Sequence, residues 1–329
     1  MSDNTADIKV SVYCLAYNHG KYIRDALNGF VSQKTDFRYE VFVHDDASTD
    51  NTAEIIREYA EKYPDIIKPV FQKENQYSKG IKIPKKYIFP LMSGKYIAVC
   101  EGDDYWCDEN KLQLQYEYME AHPECSLCVH NTKKVSTHGD ELHRLSNHSG
   151  HDADYTAEDI IKADGGGLFH TSSYMYRRED RLNQPEQFTM KTAGDYPTAI
   201  YLSTIGNVHY IDKVMSVYRI GDAGSWTVRL RKNKRKLLEH YYDIYEAMNK
   251  MNAYTGGKYE AAFKYITEKY ECDELYVRGE LTAVLKNRTY RKWFSKKTFM
   301  TKLKLVIKWF LIKCRLYDTE DLTWTPPKK

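Results

Sequence analysis

Two acidic clusters each follow an apolar run of strand length in the first third of the chain. Asp45 and Asp46 come after residues 41–43, and Glu101, Asp103 and Asp104 come after residues 96–100. An unpaired carboxylate beside buried apolar residues is costly, so a cation or a set of hydrogen-bond donors is expected next to it. Ligands of an open parallel sheet bind outside the carboxyl ends of its strands. The two clusters therefore predict one negatively charged binding site, at the carboxyl ends of the strands, that holds a divalent metal and a phosphorylated ligand.

Strand and helix patterns alternate over the first 130 or so residues, which predicts a mostly parallel α/β sheet. The predicted strands are 9–15, 41–43, 66–71, 96–100 and 125–130, with helices between them, the last of these at about 108–121. Beyond them the pattern predicts a capped helix from Thr156, a strand at 172–176, a helix at 196–202 and two short strands within 208–218. From residue 230 onward the pattern is helical.

Composition places the chain among soluble globular enzymes. Of its 329 residues, 42% are hydrophobic and 29% are charged, which excludes a disordered chain. The seven cysteines are an odd number and are scattered, which indicates free thiols in a reducing cytoplasm. The polar N-terminus lacks a signal-peptide pattern, so we expect a cytoplasmic protein. We predict a catalytic domain at 1–225 and a helical region at 226–329.

The C-terminal region carries a strongly basic segment. Residues 281–317 contain 11 Lys or Arg and no Asp or Glu. Apolar residues recur there at helical spacing: Phe299, Met300, Leu303, Ile307, Phe310, Leu311 and Cys314. This predicts a basic amphipathic helix within about 292–317 that lies on an anionic membrane surface, peripheral to the inner face of the cell membrane. The alternative is a helix that packs on the domain with its lysines solvated.

The turn after the first predicted strand contains Tyr17, Asn18, His19 and Gly20. An aromatic ring and polar groups before a helix N-terminus could bind a base or a phosphate. Asp45 and Asp46 could accept hydrogen bonds from a base or a ribose, and the alternative for them is helix capping.

The segment Glu101-Gly-Asp103-Asp104-Tyr-Trp106 is the strongest local signal. Hard divalent cations such as Mn²⁺ or Mg²⁺ prefer carboxylate oxygens and retain substrate phosphates in their shell. A metal held by Asp104 would neutralise the charge of a phosphorylated leaving group. The alternative is a purely structural acidic turn.

Together these motifs resemble the nucleotide-sugar-binding half of glycosyltransferase family 2, over roughly residues 8–220. The resemblance implies a GT-A fold and an inverting, metal-dependent transfer from a nucleotide-sugar donor, most simply a UDP-sugar, to a hydroxyl of a glycan or lipid-linked oligosaccharide. It also implies that Tyr17 packs on the nucleotide base and that Asp46 accepts a hydrogen bond from the base. Asn18 and Asp45 are our further candidates for binding the nucleotide. Asp103 would lie near the ribose or metal, and Asp104 would be a metal ligand.

The family resemblance assigns further roles on the acceptor side. Asp195 stands where the family has its acidic base at the head of a helix, although Gly194 replaces the frequent first acid; the alternative is a helix cap. The segment 165–173 resembles the acceptor-side segment and supplies His170, Thr171 and Ser172, to which we add Trp106. Tyr218 and Arg219 resemble the family's closing Tyr-Arg segment, in which a His that helps to bind metal or diphosphate often follows, but no His follows here. Arg219 could itself pair with diphosphate. A structural salt bridge is the alternative for Arg219.

Other protein classes fit less well. A sugar-phosphate nucleotidyltransferase should carry a Gly-rich phosphate loop after the first strand, and residues 15–21 contain only Gly20. A dehydrogenase would need a Gly-x-Gly-x-x-Gly run there. A scaffold module would not need Asp103, Asp104 and Asp195 together. A zinc site at Cys125 and Cys128 lacks a second cysteine pair, and no stacking-aromatic, basic-groove pattern indicates nucleic acid.

Overall fold

The computed structural model describes residues 8–163, 168–221, 226–317, 319 and 322–325. They form two compact units. The first consists of residues 8–184 and 198–220, and the second of residues 185–197 and the residues after 220. The glycines at 165–167, which belong to the acceptor-side segment of the sequence analysis, lie outside the described residues, as do residues 222–225.

The first unit is built on a mixed sheet. Its strands are β1 (Ile8–Ala16), β2 (Arg38–Asp45), β3 (Ile67–Phe71), β4 (Tyr96–Val99), β5 (Tyr105–Trp106), β6 (Cys125–Ser136), β7 (Glu141–Leu145), β8 (Ala153–Tyr155), β9 (Met175–Arg177) and β10 (Asn207–Ile220). The main order is β3-β2-β1-β4-β9-β6-β10-β5. The first four strands pair in parallel, as the alternation predicts, and β6 also runs parallel to β10. Strand β9 is antiparallel to both of its neighbours.

Twelve α-helices accompany the sheet in the described residues. They are α1 (Ile23–Val31), α2 (Thr52–Lys62), α3 (Lys111–Ala121), α4 (Ala157–Lys162), α5 (Arg178–Leu182), α6 (Asp195–Ile205), α7 (Trp226–Lys232), α8 (Lys234–Tyr254), α9 (Glu260–Arg278), α10 (Leu281–Lys286), α11 (Arg288–Lys296) and α12 (Phe299–Lys313). The predicted cap of α4 is confirmed, since Thr156 and Asp159 form a capping box. None of the described helices is both long and apolar enough to span a bilayer.

The packing of α1 brings its middle against the strand that follows the acidic turn. Ile23, Ala26, Leu27 and Phe30 are fully buried, as their helical spacing predicts. A Cβ on Gly29 would lie 2.7 Å from the carbonyl oxygen of Trp106, so a larger residue would push the two backbones apart. The close packing of α1 against Trp106 therefore limits where the backbone can lie at the end of the turn formed by residues 101–104.

Two local predictions were wrong. Residues 208–218 form one strand, β10, because the chain stays paired with β6 through register shifts around Asp212 instead of turning. Residues 171–173 form a 3₁₀ turn, and the strand predicted at 172–176 is only Met175–Arg177. That turn matters because it places His170 and Ser172.

Candidate active site

The turns after β1 and β2 are joined by reciprocal hydrogen bonds. The backbone N–H of Asn18 donates to Oγ of Ser48 at 2.8 Å, and the N–H of Thr49 donates to Oδ1 of Asn18 at 2.8 Å. Asn18 has a φ of 56°, in the left-handed region that asparagine tolerates better than most residues. Tyr17, next to it, remains 44% exposed. The pair of turns thus presents an aromatic ring at the carboxyl ends of two parallel strands.

The carboxylate of Asp46 is used within the fold. Its two oxygens accept the backbone N–H groups of Gln76 at 2.7 Å and Tyr77 at 3.0 Å, and the residue is 3% exposed. Asp45 differs, because its Oδ2 accepts from Ser48 at 3.2 Å whereas its buried Oδ1 has no hydrogen-bond partner among the described residues. Of the two aspartates predicted to accept from the base, only Asp45 therefore has a carboxylate oxygen without a partner in the described structure.

The acidic turn after β4 lies beside the end of β1. The N–H of Gly102 donates to the carbonyl of Leu15 at 3.0 Å. Asp104 is 1% exposed, and its Oδ1 accepts the backbone N–H of Arg219 at 2.9 Å. Burial raises the pKa of Asp104 well above its usual range, and the nearby carboxylate of Asp103 raises it further. Asp103 is only half-buried, and its Oδ1 has no hydrogen-bond partner in the described structure.

His170 faces the second oxygen of Asp104. Its Nε2 lies 3.5 Å from Oδ2 of Asp104, and its Nδ1 lies 2.8 Å from Oγ of Ser172. Burial lowers the pKa of His170 to about 3, so the imidazole is neutral near pH 7 and the contact is not an ion pair. Its ring also stacks on Tyr218 with centroids 4.0 Å apart.

The remaining predicted acceptor-side residues form a buried support for this turn. Nε1 of Trp106 donates to the carbonyl of Ser172 at 2.9 Å, and Oγ of Ser172 donates to Oγ of Ser216 at 2.9 Å. Trp106 is 3% exposed and Ser172 fully buried. Thr171 begins the 3₁₀ turn that carries Ser172. The burial of Trp106 and Ser172 favours a supporting role over direct contact with an acceptor.

Arg219 is engaged on every side. Its guanidinium forms an ion pair with Asp25, and Nη1 donates to the carbonyl of Asp103 at 2.7 Å. The guanidinium carbon lies 4.9 Å from the ring centre of Tyr22 and 4.7 Å from that of Tyr105. These contacts support the structural alternative for Arg219, while its contact with diphosphate stays a prediction.

Sequence reasoning missed Lys111. This residue is fully buried, and its Nζ has no hydrogen-bond partner in the part of the chain that the structure describes. The ammonium position lies 4.0 Å above the ring of Trp106. Burial lowers the pKa of Lys111 to about 7. A lysine at the start of a helix gives no sequence signal of burial, because most lysines there are solvated.

Whether the site fits a divalent cation can be judged from its donors. No group of three or more His, Cys, Asp or Glu side chains is arranged to hold a metal among the described residues. Mg²⁺ and similar ions, however, are commonly held by one or two carboxylates, with substrate phosphates and water completing the shell. Asp103 and Asp104 supply two adjacent carboxylates, and a buried oxygen of Asp103 has no partner in the described part of the chain. The residues therefore fit a cation that arrives with a diphosphate.

Asp195 is the first residue of α6, which confirms its predicted place at the head of a helix. The chain just before it is anchored within the second unit. The N–H and Oγ1 of Thr192 both donate to Oδ2 of Asp243, at 2.8 and 2.7 Å, and the Thr192 hydroxyl also lies 2.7 Å from Nδ1 of His240. The base role of Asp195 stays a prediction.

Comparisons with known proteins agree with this geometry. The sequence model of "Glycosyl transferase family 2" matches residues 11–183, which is more than half of the chain and contains both acidic clusters. An uncharacterized protein of Mycobacterium tuberculosis is 33% identical over 220 residues. The match covers 66% of this chain and 60% of that protein, so the chain spans less than two thirds of this relative's length.

A second relative has a named activity. It is a UDP-Glc:α-D-GlcNAc-diphosphoundecaprenol β-1,3-glucosyltransferase of Escherichia coli, 32% identical over 112 residues, with 34% of this chain and 41% of that protein covered. Among solved structures, S. aureus TarS 1–349 in complex with UDP-GlcNAc superposes with a TM-score of 0.56 at 17% identity, covering 92% of this chain and 79% of that one. At that identity the likeness shows the fold alone, and it confirms the expected GT-A fold.

Proposed function

The chain belongs to glycosyl transferase family 2, and from that membership we propose that it transfers a sugar from a nucleotide diphosphate sugar to a hydroxyl of an acceptor. One observation carries the proposal. The turns after β1, β2 and β4 meet at one edge of the sheet, where Asp45 and Asp103 each keep a buried carboxylate oxygen that has no hydrogen-bond partner among the residues that the structure describes. Such oxygens require donors or a cation, and a nucleotide diphosphate with a divalent metal supplies both.

We propose UDP as the nucleotide of the donor. The fold neighbour is a complex with UDP-GlcNAc and the E. coli relative is named for a UDP-Glc donor, which supports this choice. Tyr17, exposed beside Asn18, would stack on the uracil, and Oδ1 of Asp45 would accept from its imide N–H. We further propose a glycan or lipid-linked oligosaccharide as acceptor, since that relative is named for a diphosphoundecaprenol acceptor.

In the proposed reaction Asp195 takes the proton of the acceptor hydroxyl. The hydroxyl oxygen forms a bond to the anomeric carbon, and the bond from that carbon to the diphosphate breaks, so that the nucleoside diphosphate leaves with the electron pair. Attack from the face opposite the leaving group inverts the anomeric configuration. Mn²⁺ or Mg²⁺ bound by Asp103 and Asp104 would neutralise charge on the leaving diphosphate. The ring of His170, whose Nε2 lies 3.5 Å from Oδ2 of Asp104, would pack against that carboxyl group.

The proposal is tested by thermal unfolding of the protein with UDP, GDP, CDP or dTDP, each with Mn²⁺ or with EDTA. A ligand at about 100 times its dissociation constant adds about 2.7 kcal/mol to the free energy of unfolding. We expect UDP with Mn²⁺ to stabilise the protein most, and the matching UDP-sugar to be slowly hydrolysed. No metal-linked response to any nucleotide would contradict the proposal and favour a binding scaffold.

A further inference from the structure

Helix α12 turns an apolar face toward solvent. We call this face the α12 stripe; it consists of Phe299, Met300, Leu303, Val306, Ile307 and Phe310, whose exposed fractions run from 37% to 74%. At 3.6 residues per turn these positions occupy roughly 120° of the circumference. A soluble helix normally buries such a face. A contiguous exposed apolar surface of this kind marks an interaction site.

The orientation of the helix is fixed by its opposite face. Leu305 is buried, and Nζ of Lys308 donates to the carbonyl of Val277. The side chain of Ile312 lies so close to Gly279 that a Cβ there would be 2.6 Å from its Cδ1. The helix start is capped by Thr298, whose Oγ1 accepts the N–H of Thr301. A rotation of α12 about its axis that buried the stripe would break these contacts. The stripe therefore stays exposed in the folded second unit.

Charge selects the kind of partner. Residues 281–317 contain 11 Lys or Arg and no Asp or Glu. On the helix, Lys302 and Lys313 lie along one border of the stripe and Lys304 along the other, given 100° per residue. If a second copy of the chain covered the stripe, these like charges would face each other across the contact, which disfavours pairing. An anionic surface matches both the apolar centre and the basic borders.

We propose that the α12 stripe docks this protein on an anionic membrane surface, with the helix lying in the plane of the headgroups. Phenylalanine and aliphatic side chains would enter the acyl boundary while the flanking lysines reach the lipid phosphates. The exposure of the α12 stripe favours this proposal over the alternative of a helix that packs on the domain with its lysines solvated. Docking does not depend on sugar transfer; only the further idea that it brings the enzyme to a lipid-linked acceptor rests on the proposed function.

The test is flotation of the full chain with vesicles of phosphatidylcholine alone or with added phosphatidylglycerol. We expect binding to the phosphatidylglycerol vesicles that weakens with salt and is much weaker on phosphatidylcholine alone. The double variant Ile307→Glu, Phe310→Glu should lose at least about tenfold in vesicle partitioning, because both apolar burial and charge attraction are removed. Its melting temperature should stay at the wild-type value, since both side chains are exposed.

A matched control makes the same chemical change away from α12. Leu182→Glu, Ile205→Glu also replaces two exposed apolar residues and shifts the net charge equally. This control should float with the anionic vesicles to about the same extent as wild type, because it leaves the α12 stripe and its lysines unchanged. Equal loss in both double variants, or no wild-type binding to anionic vesicles, would overturn the proposal. So would a wild-type dimer that the α12 variant alone dissociates, which would make a second copy the occupant.

Discussion

Oδ1 of Asp104 accepts the backbone N–H of Arg219 at 2.9 Å, so the acidic turn that follows β4 is held by the end of β10. The two residues are 115 positions apart in sequence. The side chain of Arg219 reinforces the link by donating to the carbonyl of Asp103 at 2.7 Å. The geometry of the predicted metal-binding carboxylates therefore depends on a residue from the last strand of the sheet.

Asp104→Asn separates the structural and the ligand roles of this carboxyl group. An amide keeps the oxygen that accepts the backbone N–H of Arg219. It removes the ionisable carboxyl group, whose pKa is raised by burial. We expect the metal-free melting temperature to equal or exceed that of wild type, because a costly buried charge is gone. The stabilisation by UDP with Mn²⁺ should be lost in this variant and in Asp103→Asn.

Glu117→Gln is the control for Asp104→Asn, because it removes a carboxylate on α3 outside the acidic turn. This control should respond to UDP and Mn²⁺ like wild type. If Asp104→Asn kept the full metal-dependent increment, Asp104 would be a structural residue and the metal would have to be sought elsewhere.

Arg219→Lys tests whether this residue supports the fold or binds diphosphate. Lysine cannot reproduce the planar set of donors that reaches Asp25 and the carbonyl of Asp103. We expect a loss of about 1–3 kcal/mol in the free energy of unfolding, with a smaller loss for Asp25→Asn because Asp25 is 51% exposed. A double-mutant cycle should give a coupling of at least about 0.5 kcal/mol. Unchanged stability with a large rise in donor KM would instead assign the guanidinium to diphosphate.

Lys111→Met should stabilise the protein, and the gain should shrink at alkaline pH. Burial lowers the pKa of Lys111 from 10.5 to about 7, so between these values the unfolded chain binds a proton that the native state does not. Wild-type stability relative to the variant therefore rises with pH across this window and is lowest below pH about 7. The full change is at most about 5 kcal/mol, at about 1.4 kcal/mol per pKa unit.

Chemical denaturation from about pH 6 to about pH 10 gives the free energy of unfolding of wild type and of Lys111→Met at each pH. Subtracting the two values removes the contribution of all other titrating groups. Lys34→Met is the control, because it removes an ammonium that is two-thirds exposed and therefore carries little cost of burial. A constant difference for Lys111→Met would show that Lys111 is charged at every pH tested.

Asp195→Asn tests the proposed base. Asparagine caps a helix as well as aspartate does, so stability should change little. The turnover of donor with acceptor should fall about 10²- to 10⁴-fold, the usual contribution of a general base, while donor KM changes little. Asp180→Asn in the first turn of α5 is the matched control and should retain activity. Unaltered turnover in Asp195→Asn would leave this residue as a helix cap only.

The sequence predicts the outline of the fold well because its signals there are local. The buried faces of β1, α1 and β2 follow from spacing alone, and the family motifs identify the three strand-end turns. The partners of those turns could not be predicted. Asp46 accepts from Gln76 and Tyr77, and Asp104 from Arg219, through contacts set by how distant segments pack. The burial of Lys111 was missed for the same reason.

The wrong prediction of two short strands within 208–218, where the structure has the single strand β10, shows a different limit of prediction from sequence. The residues around Asp212 read as a turn, yet pairing with β6 on both sides keeps the strand continuous through a register shift. Tertiary pairing overrides a local turn signal when a neighbouring strand supplies the hydrogen bonds.

The anchoring of Thr192 to Asp243 and His240 has a practical consequence for anyone cutting this chain into pieces. The segment that ends in Asp195 belongs to the helical unit, yet α6 runs on from it into the sheet unit. A fragment that stops near residue 225 would retain both acidic clusters but lose both partners of Thr192. With Asp195 as the proposed base, such a fragment should still bind nucleotide but transfer sugar poorly, because the segment that carries the base has lost its anchor.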